Sequence, residues 1–390
     1  MTLETLTQGE PAACDPGQIE ARLSTLWRSA AAGAGSERAL TRACALTLLI
    51  YVESEAAAKE VTALINRVGT QNPSRSVVMV VDRRAPVPGL TASVSGSCHF
   101  PTAGRRQICS EEISLVARGD AVRALPSAVV PLLKAGLPVY LWWRAGRFVP
   151  PPEFNVILRI TDRVVVDSER FADPVTDLAS LAATIRAAAG HIGFSDLNWL
   201  RITPWRDLVA QCFDSAEPRS ALPRLREVRI ECEADRGIHS AQALLLAGWL
   251  AGRLGWRFAP DTVSGSRDLS GTLLTCRFES ASGSVSVSLA GRAKSERNGT
   301  GLVSLILVGG EPGGTFSFLR DRDKNSMRAS TELPGRARIE RYARVPIPDE
   351  VSLLNEDLKV GRRDRLYEEA LRVVAQMAPA LACLPQSDSV

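Results

Sequence analysis

Four short stretches in the first half of the chain, RACALTLLIYVES (42–54), SVVMVVD (76–82), PVYLWW (138–143) and DRVVVDS (162–168), read as strands, and the later half of the first and the whole of the second place apolar residues on both faces. A strand of this kind has no polar face to give to water. It belongs inside a sheet covered on both sides, as parallel strands are in layered proteins. Residues 55–68 and TDLASLAATIRAAAG (176–190) show helical spacing between and after these runs. Strands alternating with helices predict an α/β layer.

At 390 residues the chain exceeds what one hydrophobic core organises, which predicts two domains. With 45% apolar and 23% charged residues both are expected to be globular. The net charge of +4 is small for this length and argues against a general grip on nucleic acid. Only five of the 47 basic residues are lysines, so the arginine count reads as compositional bias rather than as a patch. The start, MTLETLTQGEPAACDPG, lacks the basic and apolar regions of a signal peptide, and no apolar run reaches the length of a membrane span. A cytoplasmic protein without a membrane partner is expected. Eight cysteines without a C-x-x-C are expected to be buried free thiols, and three histidines without a second ligand at metal spacing predict no metal site.

Asp15-Pro16 marks a helix start, an N-cap followed by proline. TASVSGSCHF and QICSEEISLVAR alternate apolar with polar residues, which predicts an antiparallel addition to the sheet. Further on, LREVRIECEA reads as a strand and HSAQALLLAGWLAGRLGW as an apolar helix. Two-period segments near 271–280, 283–291, 302–309, 315–320 and 336–345 predict an antiparallel meander, closed by helices at 349–358 and 364–379. The expected class is α/β, α+β overall. A mixed-sheet α/β layer domain (15–190) and an aromatic linker (191–224) precede an α+β domain with the meander and flanking helices (225–380), and residues 1–14 and 381–390 are expected to be flexible ends.

Catalytic and cofactor motifs are missing where such a layer would carry them. GAGSER (33–38) has two glycines of a dinucleotide loop but precedes a strand, and GGEPGG (309–314) falls between two predicted antiparallel strands as a turn. There is no G-x-x-x-x-G-K-[ST] and no G-x-S-x-G in a strand-to-helix context. His99, beside Cys98, His191 and His239 are expected to be structural or solvated. The pairs Glu111-Glu112 and Glu368-Glu369 are adjacent in sequence, so they diverge instead of sharing a substrate. No catalytic, cofactor-binding or metal residue is therefore assigned, and a non-enzyme is expected.

Tryptophan and arginine stand out instead. Trp142 and Trp143 alternate across their strand, so one enters the core while its neighbour faces a covering element or a partner, and Arg144 follows at the strand end. Asn198, Trp199, Arg201, Trp205 and Arg206 repeat the combination. Trp and Arg dominate the energetics of protein interfaces, which makes these eight residues candidates for a partner surface; burial in the core and stapling of two domains are the competing readings. Residues 320–344 carry eight basic side chains against four acidic ones, a solvated face or a site for an acidic or phosphate ligand. A sugar-phosphate- or nucleotide-binding enzyme with an unrecognised site is the alternative these arginines keep open.

NPSRSVVMVVD, QICSEEI, LPVYLWWRAG, DRVVVDS, DLNWLRITPWRDLVAQCFD and LLAGWLAGRLGW, in that order, resemble the OpcA family of glucose-6-phosphate dehydrogenase assembly proteins over roughly residues 15–380. The resemblance implies a non-catalytic activator that binds glucose-6-phosphate dehydrogenase and favours its active oligomer in the oxidative pentose phosphate pathway, with no cofactor. The family-typical strings are Pro73-Ser74-Arg75, Trp142-Trp143, Asp167-Ser168 and Asn198 to Arg206. Redox response through cysteines, attributed to some members, is doubtful for the last hundred residues here, which hold only Cys383.

Overall fold

A computed structural model describes residues 3–13, 15–33, 40–42, 44–99, 107–234, 240–268, 271–293, 301–321, 323–359, 361 and 363–383. The chain forms two compact units. One comprises Met1–Asp167, Ala188–Leu197 and Asp349–Arg363, the other Ser168–Ala187, Asn198–Pro348 and Asp364–Val390. Neither is continuous in sequence. The helix Pro174–Ala187, expected in the N-terminal domain, belongs to the second unit, and the first of the two closing helices, Glu350–Lys359, returns to the first unit.

The first unit contains strands β1 (Leu3–Ala13), β2 (Leu40–Arg42), β3 (Leu46–Val52), β4 (Ser74–Asp82), β5 (Gly89–His99), β6 (Gln107–Arg118), β7 (Val139–Trp143), β8 (Arg163–Val166) and β9 (Gly193–Asp196). They make one sheet in the order β1-β5-β6-β4-β3-β7-β8-β9, with β2 paired to β6. The neighbours from β6 through β9 are parallel. Taken in chain order, those six strands lie 3-2-1-4-5-6, the order of the dinucleotide-binding fold. The consecutive apolar runs occupy the middle: every residue of β3, β7 and β8 is buried.

Four expectations change here. Residues 1–14, expected as a flexible end, supply β1, which pairs with β5. QICSEEISLVAR is not an antiparallel addition but the third parallel strand, and only its other neighbour, β5, runs against it. Residues 191–224 are no linker: they supply β9 and the helices Leu197–Arg201 and Thr203–Cys212. Cys98 and Cys109 are not free thiols but a disulfide. They face each other across β5 and β6, 11 residues apart in sequence, and pack against Leu26 and Trp27. Sequence spacing carries no record of such a register. Cys212, Cys232 and Cys276 are buried free thiols as expected, Cys44 is half-buried and Cys383 exposed.

The second unit is built on β10 (Leu225–Ala234), β11 (Arg257–Asp268), β12 (Gly271–Ser280), β13 (Gly283–Ala293), β14 (Gly301–Gly309), β15 (Thr315–Asp321), β16 (Ser326–Glu332) and β17 (Ile339–Arg344). Their order is β11-β12-β13-β10-β14-β15-β16-β17. The expected meander is interrupted: β10 inserts between β13 and β14 and runs parallel to β13. Strands β11 and β16 escaped the reading, since Pro260 breaks the alternation of the first and SMRASTE is diluted by polar residues. GGEPGG does connect β14 to β15, closed by Gly309 N–H donating to the Gly314 carbonyl at 2.9 Å.

The helix Ala241–Leu254 is buried almost all round, from Ala241 to Ala251 apart from half-buried Trp249. It lies between the sheet and the helix Arg365–Ala382, which explains why its sequence shows no polar stripe. The two helices approach closely at Gly248, where an added Cβ would sit 2.5 Å from the Ala370 carbonyl oxygen. At Gly252 the nearest atom would be 3.7 Å away. In urea denaturation we expect Gly248→Ala to cost about 1–3 kcal/mol through overpacking. Gly252→Ala is expected to be neutral or to stabilise by up to about 1 kcal/mol through helix propensity.

Candidate functional site

In an open α/β sheet the ligand crevice lies at the carboxyl ends of the strands where the order reverses, here between β3 and β7. That place is packed with rings. Tyr51, at the end of β3, stacks on Trp143, at the end of β7, with centroids 4.0 Å apart and planes 2° from parallel. Phe154 meets both edge-on at 5.1 and 6.0 Å, and Phe148 meets Trp143 at 5.5 Å. All four are buried. Trp143 Nε1 donates to the Arg147 carbonyl at 2.8 Å, so the polar edge of the indole is satisfied without a ligand. Burial, with the Glu53 carboxylate adding to it, pushes the Tyr51 phenol up to about 12.

The turn after β3 is the segment that would cradle a pyrophosphate in this fold, through close-approaching glycines and free N–H groups at the next helix. Here it reads Val52-Glu53-Ser54-Glu55, without a glycine. Ser54 Oγ accepts the Ala57 N–H at 3.1 Å and caps the helix Glu55–Val68 itself. Glu55 pairs with Arg118, and both Glu53 and Glu55 are exposed where an anion would approach. Two carboxylates and three Cβ atoms oppose a phosphate at this turn. A dinucleotide does not fit.

Arg144 continues from the ring cluster into a clasp. Its Nε and Nη2 donate to both oxygens of Glu350, at 3.0 and 2.9 Å, and its guanidinium lies 5.2 Å from the Trp142 ring. The helix Glu350–Lys359 is held to the first unit at two more points: Asp357 pairs with Arg163 at 3.0 Å and accepts from Ser195 at 2.8 Å, and Asn355 accepts from Asn72 at 2.7 Å.

In the second unit, Asn198 accepts from Gln242 at 2.8 Å and donates to Ser168 at 3.1 Å, while Gln242 in turn accepts the Leu302 N–H. Trp199 Nε1 donates to Asp364 at 2.7 Å, the residue that caps the helix Arg365–Ala382 through the Leu366 and Tyr367 N–H groups. Arg206 stacks its guanidinium 3.6 Å over the Trp199 ring and donates to Thr203; burial pulls its basicity down to about 10, against the pull of Asp364 and Asp207. Arg201 pairs with Glu169 at 3.1 Å.

The eight candidate interface residues thus divide between the two units. Trp142, Trp143, Arg144, Asn198, Trp199 and Trp205 are all under 10% exposed, and only Arg201 and Arg206 reach intermediate exposure. Such residues are engaged in their own fold, which corrects their reading as a docking surface: the bulk that makes Trp and Arg strong anchors also makes them strong internal staples. Arg75 of the family-typical string is another, buried in β4 and bound by Glu111, Glu20 and the Leu132 carbonyl. Several of the basic residues of 320–344 are paired, Lys324 with Asp321, Arg328 and Arg338 with Glu340, Arg336 with Glu217. Glu111 and Glu112 diverge, one to Arg75, the other to Thr62, and Glu369 faces Arg253. His191 is exposed. The side chains of His99 and His239, Cys14 and most of GAGSER lie outside the described residues.

Sequence reading missed Tyr51, Phe148 and Phe154 as neighbours of Trp143, and Glu350 as the partner of Arg144. Ring clusters assembled from separate elements leave no local pattern. The acidic turn was legible, since Glu53 and Glu55 directly follow a buried strand, had that strand been recognised as the first of the fold.

These features define an α/β fold with the strand order of dinucleotide-binding sheets whose crevice is filled by its own side chains. Among solved structures the fold is shared with glucose-6-phosphate 1-dehydrogenase from Mycobacterium avium (14% identity, 88% of this chain and 93% of that one, TM-score 0.52). It is also shared with an oxidoreductase from Sinorhizobium meliloti (11% identity, 87% and 97%, TM-score 0.51). Two family models match, the glucose-6-phosphate dehydrogenase subunit N-terminal domain over residues 65–183 and its C-terminal domain over 192–371. The OxPP cycle protein OpcA of Synechococcus elongatus is 30% identical over 323 residues, 80% of this chain and 69% of that protein. OpcA of Synechocystis sp. is 32% identical over 201 residues, covering 50% of this chain and 40% of that protein's length. The chain belongs to the OpcA family. No helix among the described residues is long and apolar enough to cross a membrane.

Two predictions test the site. If the rings are packing, Trp143→Ala and Trp205→Ala each lower stability in urea by about 3–5 kcal/mol; unchanged stability would return them to the list of exposed anchors. Asp349 opens the clasp helix, and its hydrogen bonds from Ser352, then its pairing with Arg67, hold its carboxyl down at about 2, from an ordinary 3.8. A depressed folded value stabilises above the unfolded one and is lost as pH falls through the folded one. Amide protection in the helix Glu350–Lys359 should therefore decline between about pH 4 and about pH 2 in the native chain, and Asp349→Asn should remove that dependence.

Proposed function

We propose that this chain is a non-catalytic subunit that binds glucose-6-phosphate dehydrogenase and raises its activity by favouring the active oligomer. The closed crevice carries the reading. A fold of the dehydrogenase type whose phosphate turn bears Glu53 and Glu55, and whose switch point is filled by Tyr51 and Trp143, keeps the architecture of an oxidoreductase without room for its cofactor. Membership of a family whose domains are described as those of a glucose-6-phosphate dehydrogenase subunit supplies the partner.

The mechanism is linkage. A protein that binds the active oligomer more tightly than the inactive form shifts the population by that difference, and about 1.4 kcal/mol yields a tenfold shift. It needs no chemistry of its own. Mixing the purified chain with its cognate dehydrogenase should give co-elution and a saturable rise in turnover at constant dehydrogenase concentration. The chain alone should show no melting shift with NADP or a sugar phosphate; such a shift, or turnover by the chain alone, would overturn the reading.

A further inference from the structure

Strand β17 ends the second unit's sheet, paired with β16 on one side and, among the described residues, with no strand on the other. One bond fixes which of its backbone groups lie open. Val345 N–H donates to the Asn325 carbonyl at 2.7 Å, one step beyond the Ser326–Arg344 pair. Opposite residues in an antiparallel ladder alternate between bonded and unbonded pairs, so Ile339, Arg341 and Ala343 bond to β16 in the same register. Glu340, Tyr342 and Arg344 therefore turn both N–H and C=O to the free edge, where none of these groups has a partner among the described residues.

Natural sheets blunt such an edge by covering it, by a proline or a bulge, or by charge. This edge is uncovered: Ile339 to Tyr342 and Arg344 are exposed, Tyr342 by 68%. Its charges, moreover, match a copy of themselves. Counted outward from Tyr342, IERYARV (339–345) has Glu340 on one side where Arg344 stands on the other, and Ile339 where Val345 stands. An antiparallel copy centred on Tyr342 sets Glu340 opposite Arg344 at both ends, Tyr342 opposite itself and Ile339 opposite Val345. Opposite charges directly across two strands stabilise the pairing. Arg344 is the member with a charge to spare, since it forms no ion pair among the described residues, whereas Glu340 already holds Arg338 at 3.0 Å and accepts from the Tyr342 hydroxyl at 2.9 Å.

The hydrogen-bond phase agrees with that centre. A two-fold axis at a residue whose groups point outward makes it a bonded pair with itself, and Tyr342 points outward. Centring on Arg341 instead would face Arg341 with Arg341, and centring on Ala343 would face Glu340 with Pro346, which has no N–H. We propose that a second copy of this chain adds to β17 about a two-fold axis at Tyr342, joining two eight-stranded sheets into one. The shared edge carries about six N–H···O bonds, two for each facing pair. The inference goes beyond the proposed function and does not depend on the dehydrogenase.

The test is sedimentation equilibrium of the full-length chain over a range of concentrations, with variants that keep the native melting temperature. Tyr342→Pro removes a donor from the free edge and none from the ladder with β16. Arg344→Glu sets a carboxylate against Glu340, and Glu340→Arg sets a guanidinium against Arg344. The native chain is expected to dimerise, each variant at least tenfold more weakly, and an equimolar mixture of Arg344→Glu with Glu340→Arg to regain dimer, because both facing pairs are then of opposite charge. A measurement without variants stands beside it: in the native chain the amides of Glu340, Tyr342 and Arg344 should gain protection from hydrogen exchange as concentration rises. A chain that stays monomeric throughout, a dimer undiminished by Tyr342→Pro, a mixture no tighter than its separate components, or a dimer without that gain in protection would each overturn the proposal. A monomeric chain whose Tyr342→Pro variant loses affinity for the dehydrogenase would assign the edge to a strand of that partner, and the proposal would fail while the functional reading stood.

Discussion

The stack of Tyr51 on Trp143 is the contact from which the character of the molecule follows. It joins the ends of the two strands at which the parallel sheet reverses its order, and it fills the volume in which such sheets take a ligand. Aromatic pairs add about 0.5–1.5 kcal/mol to the burial of their area, and this pair recruits two phenylalanines. The same strand end delivers Arg144, whose bidentate bond to Glu350 draws a distant helix back to the first unit. A bound dinucleotide would have to displace all of this and face the carboxylates of the following turn. Closing the crevice and fastening the unit are therefore one act of packing.

The second unit shows the complementary case. Its polar network of Asn198, Gln242 and Ser168 lies inside and is satisfied by hydrogen bonds, while the half-buried Arg206 stacks on Trp199. Its broad sheet, by contrast, mixes charged and uncharged side chains on the face turned away from the helix Ala241–Leu254, where β10 carries Glu227, Arg229, Glu231 and Glu233 between strands bearing Ser288 and Ile306. Buried groups with complete partners specify a single arrangement.

Legibility varied with the range of the interactions involved. The consecutive apolar runs at β3, β4, β7 and β8 revealed a covered parallel sheet because burial on both faces acts residue by residue. The start at Asp15-Pro16 was equally local, and Asp15 does accept the Gly17 N–H. The role of QICSEEISLVAR, the insertion of β10 and the Cys98–Cys109 pair were not legible, since each depends on which strand comes to lie beside which. For tryptophan the sequence left core and partner surface both open, and the structure buries Trp142, Trp143, Trp199 and Trp205: hydrophobic bulk signals a large contact area without saying whether the contact is internal.

By itself the sequence determined the class of the fold, the alternation of strands and helices, the absence of the known phosphate loops and the family to which the chain belongs, because these rest on local period, turn chemistry and residue identity. Tertiary structure alone decided that the two units interleave along the chain and that the paired indoles fill the crevice and the core. Those outcomes depend on register and on long-range packing, in which residues hundreds of positions apart become neighbours, and no window along the sequence contains both partners.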